Sequence, residues 1–372
     1  MSKCIYTGVD ESTGTFESEE HIFPKCIGGV HTLPKGWVCD SVNNSVSGVE
    51  RCFARDNPTV ALSRMFFRKM GRKKHKNRNL IGVFKNTNNP EDFALGYISD
   101  GVPYSINQVC ITADIPIAEG SVVSLKVIVP PSDTKDHTTQ ITELWEQLCL
   151  FDGKTCVIKD ETIPLNMLLL GYQDTRWYLG MSKNQNEEQA SASVNALIRK
   201  MITTQTVDDL IKMGTVGRDK HQVQARFSMQ TNLYEILRAY AKIAVNCLAR
   251  LKGHEYVMNE SFNDIKSAIL TGENIQEHVC IPEGSNTLKT ILSKFEQLNL
   301  GEKYHSATFF CKDGILYSEV ALYGFDNVYL VKLGTAPEFG MMDAYICDWE
   351  NKAEYTLLEC VLKICDHGER LP

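Results

Sequence analysis

The sequence predicts an α+β fold, and three features of the chain indicate it. Residues 233–253 carry apolar side chains at every third or fourth position and end in Gly253, which is typical of an amphipathic helix with a glycine stop. Residues 304–324 contain two strand-like runs around Asp313-Gly314, a dipeptide that favours a type I′ hairpin. Residues 80–129 contain further short strand-like runs separated by turns.

Length, composition and charge limit the classes of protein to consider. The chain has 372 residues, which is too long for one ordinary core and predicts two or three domains. Hydrophobic residues make up 43% and charged residues 23%, as in soluble globular proteins. The net charge of −7 excludes a protein that coats nucleic acid through its overall field, so any DNA contact must come from a local basic patch.

The cysteines and the N-terminus predict the compartment. The 13 cysteines are odd in number and lack the close spacing of a disulfide framework. Residues 1–20 lack the apolar core of a signal peptide, and no apolar run approaches the length of a membrane span. We therefore expect a cytoplasmic protein with mostly free thiols.

We expect three segments along the chain. Residues 1–60 form an N-terminal module, residues 61–134 a basic helix with short strands, and residues 135–372 a mixed α+β domain. The last boundary follows the turn-like residues 130–133, "PPSD". The role of the third segment stays open between sensing, oligomerisation and substrate positioning.

The N-terminal module is predicted to run strand, loop, strand, helix. "HIFP" at 21–24 and "GWVC" at 36–39 have the composition of brief strands. From about Asn43, the apolar residues Val46, Val49 and Phe53 recur at helical spacing. This order places Glu20 and His21 beside one strand and Asn43 near the start of the helix.

These polar residues suit a single metal site. Carboxylate and amide oxygens are the ligands that Mg²⁺ prefers, and Glu20 and Asn43 supply one of each. The imidazole of His21 can take a proton from water near neutral pH. A bound metal ion would neutralise charge on a phosphate, which is what phosphodiester hydrolysis needs. The alternative is a surface turn with incidental polar residues.

The run "CIYTG…SEEHIFPKCIGG…WVCDSVNNSVSG" resembles the HNH endonuclease family, which has the ββα-metal (His-Me finger) fold. The resemblance covers residues 4–55 closely and extends loosely to about residue 80. It implies that His21 is the general base, that Glu20 and Asn43 bind Mg²⁺ or Mn²⁺, and that Asn44 replaces Asn43 if the register shifts by one. It assigns no role to His31 in the intervening loop.

One part of the family pattern is incomplete. The related proteins hold a structural zinc ion with two cysteine pairs, but only Cys4 and Cys39 are kept, with Thr7 and Val42 at the partner positions. Because structural zinc usually takes four nitrogen or sulfur ligands, we expect structural Zn²⁺ to be lost and the two replacements to pack directly. The alternative is a rearranged site completed by Cys26 and Cys52.

A basic run follows the module. Residues 63–78 hold eight Lys or Arg among sixteen residues, interleaved with Met65, Phe66 and Phe67. We expect an amphipathic helix with its cations outward, although a merely solvated face is the common alternative. The candidate contacts to DNA phosphates are Arg68, Lys69, Arg72, Lys73, Lys74, Lys76 and Arg78.

Three hypotheses of function follow. The first is a metal-dependent endonuclease that cleaves double-stranded DNA, of the kind found in bacterial or phage defence and restriction. The second is an inactive HNH-derived protein that only binds nucleic acid. The third is an effector whose C-terminal region binds a ligand or a partner protein and so licenses cutting. Assembly into a homo-oligomer is a separate expectation.

Overall fold

A computed structural model describes most of the chain. The described residues are 2–67, 80–87, 89, 91–99, 101–118, 120–130, 132, 134–216, 223–282, 286–292, 303–324, 328–335, 338–340 and 342–367. They divide into two compact units: one takes residues 2–64 and 230–367, and the other takes residues 65–67 and 80–229. The first unit is therefore built from both ends of the chain.

The helices and strands alternate irregularly along the chain. The helices are α1 (Asp40–Asp56), α2 (Pro58–Phe66), α3 (His137–Cys149), α4 (Glu187–Thr204), α5 (Val207–Met213), α6 (Leu233–Lys252), α7 (His254–Val257), α8 (Asn263–Thr271), α9 (Ile275–His278), α10 (Thr287–Leu292) and α11 (Leu357–His367). The strands of the second unit are β1 (Gly82–Asn86), β2 (Phe93–Ser99), β3 (Val102–Ser105), β4 (Asn107–Thr112), β5 (Ser124–Val129), β6 (Cys156–Asp160), β7 (Met167–Gln173), β8 (Arg176–Ser182), β9 (Gly214–Val216) and β10 (Val223–Arg226). The strands of the first unit are β11 (Val279–Cys280), β12 (Tyr304–Lys312), β13 (Ile315–Ala321), β14 (Val328–Thr335), β15 (Met342–Asp348) and β16 (Ala353–Thr356). The predicted α+β class is confirmed at this level.

The first unit is organised around α6. Its antiparallel sheet has the strand order β11-β14-β13-β12-β15-β16. Helix α6 contacts strands of this sheet and also α1, α7, α8 and α9. Nearly every residue from Ile236 to Ala249 is consequently buried, since neighbours surround the helix. The predicted helix and its stop at Gly253 are confirmed. The predicted hairpin is confirmed as well, and its two turn residues, Asp313 and Gly314, both have positive φ.

The second unit has a six-stranded sheet with both faces covered. The strand order is β6-β8-β7-β4-β5-β9, and a separate sheet has the order β10-β1-β2-β3. Leu168 and Leu170 of β7 pack in a core with residues of α3, α4 and α5, whereas Leu169 packs in a second core with residues of β1 and β2. Successive side chains of a strand point to opposite faces of the sheet, so β7 contributes residues to both cores. Because both of its faces are buried, its sequence is a continuous apolar run.

The compact units do not follow the three segments expected from the sequence. The expected boundary after residue 134 lies between β5 and α3, inside the second unit, where β5 shares a sheet with β6–β9. Residues 1–60 are not separate either, because α1 packs against α6 from the far end of the chain. The apolar face of α1 is buried against a helix that lies more than a hundred residues later in the chain.

Two details of the N-terminal segment also differ from expectation. Residues 36–39, expected as a strand, form turns, and the carbonyls of Gly36 and Trp37 accept hydrogen bonds from the N–H groups of Lys3 and Ile5. Helix α1 begins at Asp40, earlier than the expected start near Asn43. The first turn contributes Val42 to the buried stripe of Val46, Val49 and Phe53, so the apolar spacing does extend to the start of the helix.

Candidate functional site

Glu20 and His21 lie on one side of a short antiparallel pairing. The N–H of Ile22 donates to the carbonyl of His31 (3.0 Å), and the N–H of Leu33 donates to the carbonyl of Glu20 (2.8 Å). His21 forms the isolated bridge between these two hydrogen bonds. The segment that pairs with His21 is residues 31–33 and not the expected strand at 36–39, and a single bridge does not confirm a ββα nuclease module.

Two glycines close the loop between the paired segments. A 3₁₀ helix at Lys25–Ile27 ends at Gly28, whose φ of 104° lies in the left-handed region. A Cβ on Gly29 would stand 1.9 Å from the carbonyl oxygen of Phe23, so only glycine permits this close approach. The glycine pair therefore returns the chain to the pairing partner of His21.

The carboxylate of Glu20 is buried against α6. Its Oε1 accepts hydrogen bonds from Nζ of Lys242 and from Nδ2 of Asn246, the latter at 2.8 Å. The same Nζ donates to Oε1 of Glu50 on α1 at 2.5 Å. Burial alone would lower the pKa of Lys242, but the two carboxylates more than offset it and raise that pKa above its ordinary value. One charged ammonium therefore joins two acidic side chains from different elements.

Asn246 connects this cluster to the backbone of His21. Its Nδ2 donates to the carboxylate of Glu20 and also to the carbonyl of His21 at 3.0 Å, and its Oδ1 accepts from the hydroxyl of Tyr6 at 2.6 Å. Asn246 follows Lys242 by one helical turn, so both side chains point from the same face of α6. The amide thus contacts two adjacent residues of the candidate site.

The imidazole of His21 is half-buried, and its pKa lies below the ordinary value because of burial and then because of the charge on Lys25. Its hydrogen-bonding capacity is not used within the described part of the chain. At neutral pH the ring is therefore uncharged and able to accept a proton.

The two asparagines expected as metal ligands point elsewhere. Nδ2 of Asn43 donates to the hydroxyl of Ser18 at 2.8 Å, and that hydroxyl in turn donates to Asp40. Asn44 is exposed. Across the described residues, no hydrogen bond joins either asparagine to Glu20 or to the imidazole of His21.

Residues near the C-terminus hold the loop that contains His31. The N–H groups of Val30 and His31 both donate to Oε1 of Glu354, at 2.7 and 3.0 Å. Nδ1 of His31 lies 3.2 Å from the hydroxyl of Tyr345. These contacts fix the return segment of the pairing against β15 and β16.

Residues at the positions that the related proteins use for structural zinc still lie next to one another. Cys39 precedes α1 as its N-cap residue, and its Sγ lies 3.9 Å from Oγ1 of Thr7 and 3.2 Å from Oγ of Ser41. Burial raises the pKa of the Cys39 thiol, but hydrogen bonds from these hydroxyls, from the backbone of Val42 and from Cys4 bring it below its ordinary value. Two thiols, a hydroxyl and an aliphatic side chain do not fit a four-ligand structural zinc site.

No metal-binding group is assembled among the described residues. Within them, no cluster of three or more His, Cys, Asp or Glu side chains could hold a metal ion, and this includes Cys26 and Cys52 of the rearranged alternative. As folded, the expected Mg²⁺ or Mn²⁺ ligands are not joined in one set: the carboxylate of Glu20 is bound to Lys242, and Asn43 donates through its amide nitrogen to Ser18.

The expected DNA-contacting residues cannot be placed. Helix α2 ends at Phe66, at the start of the basic run. The following expected contacts lie outside the described residues: Arg68, Lys69, Arg72, Lys73, Lys74, Lys76 and Arg78. The amphipathic helix expected there stays a prediction.

Comparison with protein-family models, with curated proteins and with solved structures finds no match to this chain. In the part of the chain that the structure describes, every helix is too short or too polar to cross a membrane.

The sequence alone did not identify Glu50, Lys242, Asn246 or Tyr6 as members of the site. A signal was present for two of them. Lys242 and Asn246 interrupt the apolar run "AKIAVNCLA" at a spacing of four, and polar residues on the buried side of a helix require partners. Nothing in the sequence identified those partners, because Glu20 is 222 residues away from Lys242.

Proposed function

We propose that this protein is a metal-dependent endonuclease of the HNH type that hydrolyses DNA phosphodiester bonds, with His21 as the general base. The resemblance of residues 4–55 to that family motivates the proposal. Its cellular setting would be bacterial or phage defence or restriction, in the cytoplasm. The third hypothesis, regulation by the C-terminal region, is retained within this proposal.

The placement of His21 is the observation that supports the proposal best. Its backbone is held on both sides, by the pairing with residues 31–33 and by Asn246, while its imidazole is only half-buried. A general base needs a fixed backbone and a ring that reaches solvent and substrate. A histidine that served only to fill the core would be expected to have both ring nitrogens satisfied, as His305 does.

The chain's own contribution to the reaction is proton transfer at His21. The neutral imidazole would accept a proton from a water molecule as that water attacks the phosphorus. The bond from phosphorus to the 3′ oxygen would break, and that oxygen would take a proton from solvent to leave as a 3′-hydroxyl. The basic run would bind the DNA backbone. Bound Mg²⁺ or Mn²⁺ would supply neutralisation of the phosphate charge. Since Glu20, Asn43 and Asn44 are not joined in one ligand set as folded, the chemistry is argued from His21 alone.

Nicking of supercoiled plasmid in Mg²⁺ or Mn²⁺ tests the proposal. We expect wild-type protein to nick, and His21→Ala to lose activity by a factor of about 100 or more, as for removal of a general base. His278→Ala is a matched control, because it removes a partly exposed histidine from α9 in the same unit. Equal nicking by wild type and His21→Ala would refute the assignment.

The ion pair at Glu20 favours a second candidate, an HNH-derived protein that binds nucleic acid without cutting. Lys242 already occupies the carboxylate that the resemblance assigns to the metal. This candidate predicts DNA retention without cleavage in any divalent ion. Simultaneous neutralisation of Arg72, Lys73 and Lys74 should weaken binding to unrelated sequences equally and reduce the salt slope by about 2 to 3. Metal-dependent nicking by pure protein would exclude this candidate.

A further inference from the structure

We infer that Asn246 is a positioning residue that sets the direction of the His21 imidazole. The effect of Asn246 on catalysis rests on the proposed function, whereas its effect on the direction of the His21 ring does not. Asn246 lies on α6, far from the segment whose sequence pattern points to a nuclease, and it does not reach the imidazole itself.

The argument starts from how the ring of His21 can be held. Within the described residues the ring nitrogens have no hydrogen-bond partner, so side-chain contacts of that kind do not orient it. Its direction then depends on the packing around the half-buried ring, on the side-chain rotamer, and on the backbone from which the Cα–Cβ bond leaves. A side chain that fixes this backbone fixes the Cα–Cβ bond of His21 and so limits the positions that the imidazole can reach.

Asn246 contacts this segment at two adjacent residues, through the side chain of Glu20 and the backbone carbonyl of His21. One amide nitrogen donates to the carboxylate of Glu20 and to the carbonyl of His21, at 2.8 and 3.0 Å. The amide cannot rotate away, because its oxygen accepts the hydroxyl of Tyr6 at 2.6 Å. Asn246 is only 1% exposed, so water does not compete for these bonds.

Lys242 supports the same arrangement from one turn earlier. Its ammonium holds the carboxylate of Glu20 in place and ties it to Glu50 on α1. Asn246 thus meets a carboxylate that is already fixed, and the pair from α6 immobilises the segment that carries His21. Loss of Asn246 would free the carbonyl of His21 while leaving the ion pair intact.

The test follows the His21 ring directly. The protein has nine histidines, so ¹³C-labelled histidine gives a tractable spectrum in which His21→Gln identifies the His21 signal. Asn246→Leu removes the amide and keeps the volume. We expect the order parameter of the His21 ring to fall toward the value of about 0.6 that marks flexible sites. Tyr6→Phe, a milder change that removes only the hydroxyl, should shift the same signal in the same direction.

Asn57→Leu is the matched control. Asn57 is also buried in this unit, donates to the hydroxyl of Tyr240 and accepts the N–H of Val60, and among the described residues it has no hydrogen bond to residues 20 and 21. If Asn57→Leu moves the His21 signal as much as Asn246→Leu does, the effect is general loosening and the inference is overturned. An unchanged His21 signal in folded Asn246→Leu or Tyr6→Phe also overturns it.

Cleavage kinetics separate this inference from the proposed function. In a wild type that cleaves DNA, Asn246→Leu should lower kcat by about 100-fold with KM unchanged, since a misplacement of about 1 Å has that effect. A loss confined to KM would contradict positioning. If wild type does not cleave in Mg²⁺ or Mn²⁺, the proposed function fails, and the ring signal alone still decides the role of Asn246.

Discussion

His305 should make the first unit progressively less stable as the pH falls below neutrality. The residue is fully buried on β12, where Nδ1 accepts the N–H of Tyr323 at 2.9 Å and Nε2 lies 2.8 Å from the carbonyl of Ile27. Since Nδ1 accepts, Nε2 carries the proton and donates. Burial lowers the pKa of His305 to about 4. The contact to Ile27 also ties the loop beside the candidate site to the sheet.

The magnitude follows from linkage. An unfolded histidine titrates near 6.5, so between about pH 6.5 and pH 4 the unfolded state binds a proton that the folded state does not. Stability contributed by the neutral ring is therefore complete above pH 6.5, falls with decreasing pH, and levels off below pH 4. A gap of about 2.5 units at 1.36 kcal/mol per unit corresponds to about 3 kcal/mol.

Chemical denaturation between pH 7 and pH 4 measures this contribution. The free energies of unfolding of the wild type and His305→Gln should differ most at pH 7. The difference should shrink by about 3 kcal/mol as the pH falls to 4, because the glutamine does not titrate. Carboxylates titrate in both proteins and cancel in the difference. His278→Gln, at a site near the surface, is the control and should follow the wild type. A constant difference between wild type and His305→Gln across this range would refute the reasoning.

Three further outcomes can be measured by denaturation and circular dichroism. Lys242→Met leaves the buried carboxylate of Glu20 without its cation and should destabilise the protein by about 3 kcal/mol; an unchanged unfolding free energy would mean that the ion pair does not form. Gly29→Ala should destabilise by more than about 2 kcal/mol through its backbone clash, whereas Gly48→Ala, at an exposed helical position with open space, should stabilise by about 0.5 to 1 kcal/mol. Equal effects of the two alanines would contradict the close approach at Gly29. A fragment of residues 1–134 lacks α6 and should show no stable α1 helix; a cooperatively folded fragment would contradict the packing of α1 on α6.

Local structure was predictable where one short segment determines it. The stripe of α6 and its stop at Gly253 need only the spacing of apolar residues and one glycine. The Asp313-Gly314 turn needs only two residues that accept positive φ. The strands β1, β2 and β5 likewise lie within residues 80–129, where short strand-like runs were expected.

The division into units and the contents of the site were not predictable in this way. The ammonium of Lys242 finds its partners in Glu20 and Glu50, residues from the other end of the chain. Pattern within a segment identifies a buried polar residue as unusual, but the identity of its partner depends on packing between elements. The same holds for Glu354, whose carboxylate holds the backbone of the loop around His31.

Chemical rescue tests the central claim most directly, because it asks whether the missing group is an imidazole. In Mg²⁺ or Mn²⁺, added imidazole should restore part of the plasmid nicking to His21→Ala, in proportion to its neutral form, and should leave wild-type nicking unchanged. His21→Ala protein that nicks as fast as wild type without added imidazole would contradict the assignment of His21 as the base.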